Sequence, residues 1–534
     1  MAGSDNRANE QRPLYVYDNW SAYDELSDAI PLDENLALYE LEQVERLQAH
    51  GVQFDAYLMD AFWYEPSSGY LQWRKDSWPN GPDRWLNACK IADILPGLWF
   101  PANTAFTLEV PETWKDSLAE DGWGFCCFHG GFLSGFMEVL EYWYQRGIRV
   151  FKFDFADFGA APAAIRLKML PSEIRERNVT AYRNALTQFR LDHPEAWLLA
   201  YNGFEETEFM TWTDRPVRRV IDLDWLDIFD TIYCGDPRPT DTPLPNFWRS
   251  LDVYAGHQIW FLNQGGLPLR RIDNCAFMLG NTGTCYWRGV ESWKETALLS
   301  YASGGAVHVA MGNLELLSDD DAIWISKAQD LCEATSAPTW LGGCPGQQQA
   351  YGFKAKEFEI WVNPSLMPAQ IPIQAVPVAF VNGGIDESTS TLSAGSVIAF
   401  ADRTDLGRTE STFTLESIQV AWHVRENAAV GEGITDPGRY WIAFQQFDSK
   451  GQVVRSSTGS GKACPTLKSI LTISANLGSQ ELEVMYVNDL VIWSGCSWVM
   501  ATIQVPTKGN LKISLSSSDP NVKKIVPFIW VEKC

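Results

Sequence analysis

The segment FLSGFMEVLEYWYQRGIRVFKFD, residues 132–154, contains the two patterns that decide the fold. Its first part, Phe132 to Arg146, places apolar residues at the spacing of one helix face and predicts an amphipathic helix. Its second part, Arg149 to Phe153, is a short apolar run typical of a buried strand, and it ends at Asp154. A helix followed by a buried strand is the repeating unit of a parallel sheet with crossover helices.

The same unit recurs from about residue 14 to about residue 335. Amphipathic stretches such as Leu36–His50 and Pro171–Arg190 predict further helices. The apolar runs that predict strands are Leu14–Tyr17, Phe54–Met59, Ile94–Phe100, Arg149–Phe153, Trp197–Tyr201, Ile228–Cys234 and Ala306–Met311. Seven or eight such units favour a closed (β/α)8 TIM barrel over a doubly wound sheet.

A polar residue stands just past the end of most of these apolar runs. In a barrel all these positions open onto one face, where active sites lie. A single polar residue at such a position is common in any loop. Because one recurs at the same place after strand upon strand, we predict a polar pocket. The residues are Asp18, Asp60, Asp154, Asn202, Asp236 and Asn313.

Beyond about residue 345 the runs become short and alternating, and Gly, Ser, Asn and Asp separate them. This pattern is typical of β-sandwiches. We therefore predict a flexible N-terminus at 1–13, the barrel at 14–340, and two β-sandwiches at 345–428 and 437–534.

The composition restricts the partners of the chain. With 67 acidic against 42 basic residues the formal net charge is −25, which argues against binding to nucleic acid or to an anionic membrane. No run of 18 apolar residues exists, and residues 1–13 are polar, so we expect a soluble protein without a signal peptide in this form, either cytoplasmic or secreted with its signal removed. The 11 Cys and six His show no metal-ligand spacing, and we predict no metal or other cofactor.

Lys152 and Asp154 are two residues apart on one predicted strand, so both side chains point into the barrel mouth. A Lys neighbour favours the ionised carboxylate, as a nucleophile in glycosyl transfer requires. The alternative interpretation is that Lys152 and Asp154 form a buried ion pair with a purely structural role, which needs the same spacing. Asp157 is the competing carboxylate, in the following loop.

A second carboxylate is needed as general acid and base. Asp236 follows the Ile228–Cys234 run in a segment rich in Gly and Pro, which predicts a fixed turn that presents the side chain. Asp241 competes with it, and Asp236 also fits an ordinary turn role. Arg238 fits either a contact to ring hydroxyls or an ion pair with a neighbouring acid.

Several predicted strand ends together resemble the α-galactosidase superfamily, glycoside hydrolase families 27 and 36, and family 36 most closely. Six motifs of this superfamily have counterparts in this chain, in the same order. They are the first-strand Y-N-S-W, then D-D-G-W, G-L-W-F, K-W-D and S-D-N, and the last-strand M-G-N-x-L…L-S. The counterparts are Tyr17–Trp20, Met59–Trp63, Gly97–Phe100, Lys152–Asp154, Tyr233–Asp236, and Met311–Leu314 with Leu317-Ser318. The resemblance covers about residues 14 to 320.

The resemblance implies a retaining exo-glycoside hydrolase that cleaves terminal α-galactoside-type linkages of an oligosaccharide or glycoconjugate. It makes Asp154 the nucleophile and Asp236 the acid/base. The implied substrate contacts are Asp60, Lys152, Trp20, Trp63, Trp99, Asn202 and Arg238, and for the three Trp core packing is the alternative. Relatives are often oligomers, which leaves a homo-oligomer open.

The chain departs from the family pattern at three places. Ala61 replaces the second Asp of D-D-G-W, Pro101-Ala102-Asn103 replaces E-P-E, and Asn202–Glu206 replaces a glycine-rich segment. An α-N-acetylgalactosaminide or a β-L-arabinopyranoside is therefore an alternative substrate. A non-catalytic glycan-binding protein is the alternative of a different class. A metal-dependent hydrolase is disfavoured because paired His at strand ends are lacking.

Overall fold

The computed structural model describes residues 12–533 apart from 21–32, 62, 205–221, 234–256, 280–292, 334–335, 344–348, 364–367, 373–376, 383–384, 387–389, 394–395, 403–405, 410–413, 452–453, 455–470 and 487–497. Eight parallel strands close into a barrel and follow each other around it in sequence order. The strands are β1 (Leu14–Asp18), β2 (Ala56–Met59), β3 (Leu95–Pro101), β4 (Val150–Asp154), β5 (Trp197–Ala200), β6 (Thr231–Tyr233), β7 (Ile272–Leu279) and β8 (Val307–Gly312). The predicted TIM barrel is confirmed.

The helices fall between the strands, as the amphipathic stretches predict. Pro171 begins one of them, where its fixed φ suits the first helical turn and its missing N–H costs no hydrogen bond. None of the described helices has the length and apolar character to cross a membrane. The described helices are α1 (Glu34–Gln48), α2 (Asp83–Ile91), α3 (Phe132–Gln145), α4 (Ala163–Arg166), α5 (Pro171–Asp192), α6 (His257–Gln264), α7 (Trp293–Ser303) and α8 (Asp319–Cys332).

The barrel has an apolar layer on each side of its strands, which explains why their sequences are apolar runs rather than alternating ones. The outer layer packs the strands against the helices. The inner layer fills the barrel, so that it is a packed core and not a pore. Its buried members are Leu14, Val16, Ala56, Leu58, Val150, Trp197, Leu199, Tyr201, Tyr233, Val307, Val309 and Met311.

The region after the barrel is all-β, as predicted. A six-stranded sheet in the order β17-β13-β16-β11-β10-β9 and a small sheet β12-β15-β14 form its first part. This part shares a continuous apolar core with the barrel, where Trp324 of α8 and Phe380 of β13 pack with ring centroids 5.5 Å apart. The strands are β9 (Thr339–Gly342), β10 (Tyr351–Lys354), β11 (Phe358–Val362), β12 (Ala369–Gln370), β13 (Val378–Asn382), β14 (Ile385–Asp386), β15 (Thr391–Leu392), β16 (Val397–Ala401) and β17 (Gly407–Thr409).

Two five-stranded sheets, β18-β27-β21-β25-β24 and β19-β20-β26-β22-β23, form the last part around their own apolar core. The strands are β18 (Thr414–Ser417), β19 (Ala421–Arg425), β20 (Ala428–Thr435), β21 (Gly438–Phe447), β22 (Leu471–Leu477), β23 (Gln480–Leu482), β24 (Val484–Tyr486), β25 (Trp498–Val505), β26 (Gly509–Ser517) and β27 (Lys524–Lys533). Because β18 pairs with β27, and β20 with β26, we propose that the last module begins before Thr414 rather than at 437.

Candidate active site

Five of the six polar residues predicted to share one face of the barrel are described by the structure, and they lie at its carboxyl-terminal rim. Asp18 and Asp154 are the last residues of β1 and β4, and Asp60, Asn202 and Asn313 follow β2, β5 and β8. Asp18, Asp60, Asp154 and Asn313 are buried. A parallel barrel brings all these strand ends together, so residues far apart in sequence become neighbours.

Lys152 connects three strands of this rim. Its ammonium donates to Oδ2 of Asp18 at 2.8 Å and to Oδ2 of Asp60 at 2.6 Å. It also lies 4.2 Å from the centroid of the Tyr201 ring, a cation–π geometry. The sequence predicted that Lys152 would pair with Asp154 on its own strand. Its hydrogen bonds to Asp18 and Asp60 run across the barrel, because the long side chain reaches the ends of β1 and β2, and the charge of Asp154 on its own strand also acts on it.

The charges in this network depend on each other. Burial alone disfavours the charge of Lys152, but the carboxylates of Asp18, Asp60 and Asp154 outweigh that cost and raise its pKa above the ordinary value. Burial also raises the pKa of Asp18 to about 7, with Asp60 adding to the shift and Lys152 opposing it. The rim therefore holds a permanent ammonium beside an acid that changes its protonation near neutral pH.

Asp154 is held by four hydrogen-bond donors. Its Oδ1 accepts from the backbone N of Phe155 at 2.8 Å, and from both the side-chain Nδ2 and the backbone N of Asn202 at 2.9 and 3.1 Å. The indole Nε1 of Trp99 lies 3.2 Å from Oδ2. Such donors stabilise the ionised form and fix the orientation of the carboxylate.

The backbone directly after Asp154 is strained. Phe155 has a φ of +50°, in the left-handed region that a residue with a side chain seldom adopts. This conformation accompanies the hydrogen bond from the Phe155 N–H to the Asp154 carboxylate. Strain of this kind persists only where the surroundings impose it, and it is concentrated at functional sites.

Asn19 and the Asp60 backbone tie the ends of β1 and β2 together. The side-chain oxygen of Asn19 accepts from the backbone N of Asp60 at 2.8 Å. Asp60 in turn accepts from the N–H of Ala61 at 2.7 Å through Oδ1, while Oδ2 accepts from Lys152. Because a carboxylate oxygen has room for two donors, both oxygens of Asp60 keep capacity for a further hydroxyl group.

Asp273 is a member of the cluster that the sequence analysis missed. It lies on β7 and is 0% exposed, and neither of its oxygens has hydrogen-bond geometry with a donor among the described residues. Burial raises its pKa to about 8, Lys152 and the facing Tyr201 hydroxyl oppose the shift, and Asp18 adds to it. A charged residue inside an otherwise apolar strand was the available signal, but β7 itself was not recognised.

The three Trp predicted as pocket walls divide into two groups. Trp99 contacts Asp154, and Trp20 is half-buried at the rim, where its backbone N donates to Oδ1 of Asp18 at 2.9 Å. Trp63 does not join them. It is 2% exposed, packs against Trp73 and Trp143 at centroid distances of 5.1 and 5.4 Å, and donates from its indole to the Trp99 carbonyl. These contacts fit the core-packing alternative.

The competing acid Asp157 stands apart from the cluster. Its backbone N and O both bond to the side chain of Asn103 at 2.7 Å, and its own carboxylate accepts from the Gly159 N–H at 3.0 Å. Asp236, Arg238 and Asp241 lie outside the described residues. The structure therefore describes the surroundings of Asp154 and of the other predicted sugar contacts except Arg238, and not those of the predicted acid/base.

Among the residues that the structure describes, no group of three or more His, Cys, Asp and Glu has the arrangement of a metal site. His308 faces away from the barrel interior, where its Nδ1 lies 3.0 Å from Ser300 Oγ and its ring stacks on Tyr15. It is a buried core histidine.

Comparisons with known proteins find a likeness in structure but none in sequence. No protein-family profile matches the chain, and no curated protein matches it. A family 36 α-galactosidase of Geobacillus stearothermophilus in complex with stachyose superimposes with a TM-score of 0.50 at 11% identity, over 74% of this chain and 56% of that chain. The same enzyme with 1-deoxygalactonojirimycin gives a TM-score of 0.50 at 10% identity, over 73% of this chain and 56% of that chain.

This chain thus matches only 56% of the length of those α-galactosidase chains. At 10–11% identity the likeness concerns the fold. The predicted resemblance is confirmed at that level: the chain is similar in fold to the family 36 α-galactosidases.

Proposed function

We propose that the protein is a retaining exo-glycoside hydrolase that acts on terminal α-galactoside-type linkages. The observation that carries the proposal is the environment of Asp154. This carboxylate accepts from two backbone N–H groups, an amide and an indole, which fix its orientation, and such donors favour the ionised form. This is the state that a glycosidase nucleophile needs.

The proposed reaction is a double displacement. Asp154 attacks the anomeric carbon, while a second acid protonates the glycosidic oxygen so that the alcohol leaves. The same acid then takes a proton from water, which attacks the anomeric carbon and releases Asp154. Asp236 remains our candidate for this acid, on the resemblance of its segment to the S-D-N motif. A retaining mechanism requires the two carboxyl groups to lie about 5–5.5 Å apart.

The rim residues supply the proposed sugar contacts. Asp60, paired with Lys152, presents its carboxylate to ring hydroxyls, and Asn202 and Trp99 border the nucleophile. The fold likeness includes an α-galactosidase in complex with stachyose, which motivates an α-galactosyl oligosaccharide as the first substrate to test. Ala61 offers no carboxylate to the sugar, so an α-N-acetylgalactosaminide or a β-L-arabinopyranoside belongs in the same test.

The experiment is release of p-nitrophenol from a panel of α- and β-linked nitrophenyl sugars by the wild type, by Asp154→Ala and by the matched control Asp157→Asn. We expect turnover of an α-galactoside or a close relative that is lost in Asp154→Ala and kept in Asp157→Asn. Activity that survives in Asp154→Ala contradicts the assignment of the nucleophile. If the protein cleaves no sugar of the panel but binds glycans on an array, it is a glycan-binding protein instead.

A further inference from the structure

A row of aromatic rings leads away from Asp154 toward the protein surface. Trp99, whose indole contacts Asp154, packs against Phe106 and Phe155 at centroid distances of 5.5 and 5.8 Å. Phe106 and Phe155 pack on each other at 5.1 Å, and Trp123 lies 6.5 Å from both. Trp123 is therefore two ring contacts away from the residue that touches the proposed nucleophile.

Trp123 differs from the other three rings in its exposure. It is 37% exposed, whereas Trp99 and Phe155 are 1% and 9% exposed. The exposed aromatic side chains Tyr39 and Tyr142 belong to α1 and α3. A single exposed aromatic residue needs no explanation by itself, but one that continues a buried aromatic row from a proposed active site extends that site.

The segment that carries Trp123 is fixed to the barrel rim. The Trp123 carbonyl accepts from the Ala105 N–H at 2.7 Å, and the Phe125 N–H donates to the Asn103 carbonyl at 2.8 Å. The Asn103 side chain is fully buried and donates to the carbonyls of Phe125 and Asp157 at 2.9 and 2.7 Å. Asn103 thus binds the loop after β3 to the loop after β4, directly beyond the nucleophile.

We propose that Trp123, supported by Phe106 and Phe155, is a stacking platform for the sugar ring adjoining the one that Asp154 attacks. This inference rests on the proposed function. An aromatic face binds the apolar face of a sugar ring, and a ring that is already held loses little conformational freedom on binding. Because an exo-enzyme holds the terminal sugar at the nucleophile, the adjoining ring is the leaving group. The preferred substrate is then an oligosaccharide rather than a glycoside with a small leaving group.

Two substrates with the same galactosyl group test the platform. Melibiose, a galactose α-linked to glucose, has a ring as its leaving group, and α-galactosyl fluoride has none. We expect Trp123→Ala to lower kcat/KM for melibiose by about tenfold to 30-fold, the range for truncation of a Trp anchor, and to change kcat/KM for the fluoride less than about twofold. Trp123→Phe is expected to restore most of the activity on melibiose. Tyr142→Ala, which removes an exposed aromatic ring elsewhere on the barrel, is the control and is expected to change neither.

An equal loss on both substrates, or no loss on either, overturns the platform. A measurement of sugar binding distinguishes failure of the platform from failure of the proposed function. Calorimetric titration of Asp154→Asn with melibiose and with galactose, with and without Trp123→Ala, needs no turnover. If the wild type cleaves neither substrate, weaker binding of melibiose alone in the Trp123→Ala background still supports the platform, and unchanged binding contradicts it.

Discussion

The ammonium of Lys152 lies 2.6 Å from Oδ2 of Asp60, so two residues that the sequence suggested as separate sugar contacts form one ion pair. Asp18 joins them at 2.8 Å from the same ammonium. The group connects the ends of β1, β2 and β4, and all three side chains are almost fully buried. It fixes the geometry of the rim beside Asp154, and its stability depends on each partner being present.

Removal of Lys152 is expected to destabilise the fold. Lys152→Met leaves Asp18 and Asp60 buried without their cation, and loss of one partner of a buried pair costs about 3–5 kcal/mol. Because Asp18 has a pKa of about 7 in the fold, it is neutral at pH 5, and the loss is expected to be smaller there than at pH 8. Denaturant unfolding at both pH values measures this difference. The double variant Lys152→Met/Asp18→Asn is expected to recover part of the loss, and strict additivity of the two changes contradicts the network.

Trp99 and Trp63 form a matched pair for testing the site around Asp154. Both are buried, and each donates a hydrogen bond from its indole, Trp99 to the Asp154 carboxylate and Trp63 to the Trp99 carbonyl. Trp99→Phe is expected to lower kcat/KM about tenfold, since it removes a donor to a charged group worth about 1.5 kcal/mol or more. Trp63→Phe is expected to lower Tm and to leave kcat/KM nearly unchanged. If the two changes lower kcat/KM equally, the assignment of Trp99 to the site and of Trp63 to the core is wrong.

Asp273 is expected to make stability depend on pH. Its pKa of about 8 in the fold lies above the ordinary value of 3.8, so the stability it contributes is complete below about pH 4 and is lost as pH rises through 8. Asp273→Asn removes this dependence. The Tm of the variant relative to the wild type is therefore expected to increase from pH 4 to pH 9, measured by calorimetry. If the Tm difference stays constant over this range, the carboxyl of Asp273 does not have the raised pKa that we infer from its burial.

The barrel was predictable from the sequence because each of its units carries a local signal. Helix α3 and strand β4 occupy the positions that the segment around Phe132 and Asp154 indicates, and α5 begins at Pro171. Strand β7 was not recognised, because Asp273 and Asn274 interrupt its apolar run. A buried carboxyl is tolerated there because it faces Lys152 and Tyr201 from other strands, and no local pattern contains that information.

The contacts within the site were predictable only in part. Register along one strand places Lys152 and Asp154 on the same face, but it does not decide which acid the long Lys side chain reaches. That choice depends on how β1 and β2 stand next to β4 across the barrel, and the result is pairing with Asp18 and Asp60. In the same way, the motif around Trp63 does not reveal that its ring turns into the aromatic core.

The most direct test of the account is covalent trapping of the nucleophile. With 5-fluoro-α-D-galactosyl fluoride, one fluorine slows both displacement steps and the other is a good leaving group, so the glycosyl-enzyme accumulates. We predict that peptide mass spectrometry finds one fluorogalactosyl ester, carried by Asp154, and that Asp154→Ala takes up no label. A label on another carboxylate, or turnover of an α-galactoside by the wild type with no trapped ester at Asp154, would contradict the central claim.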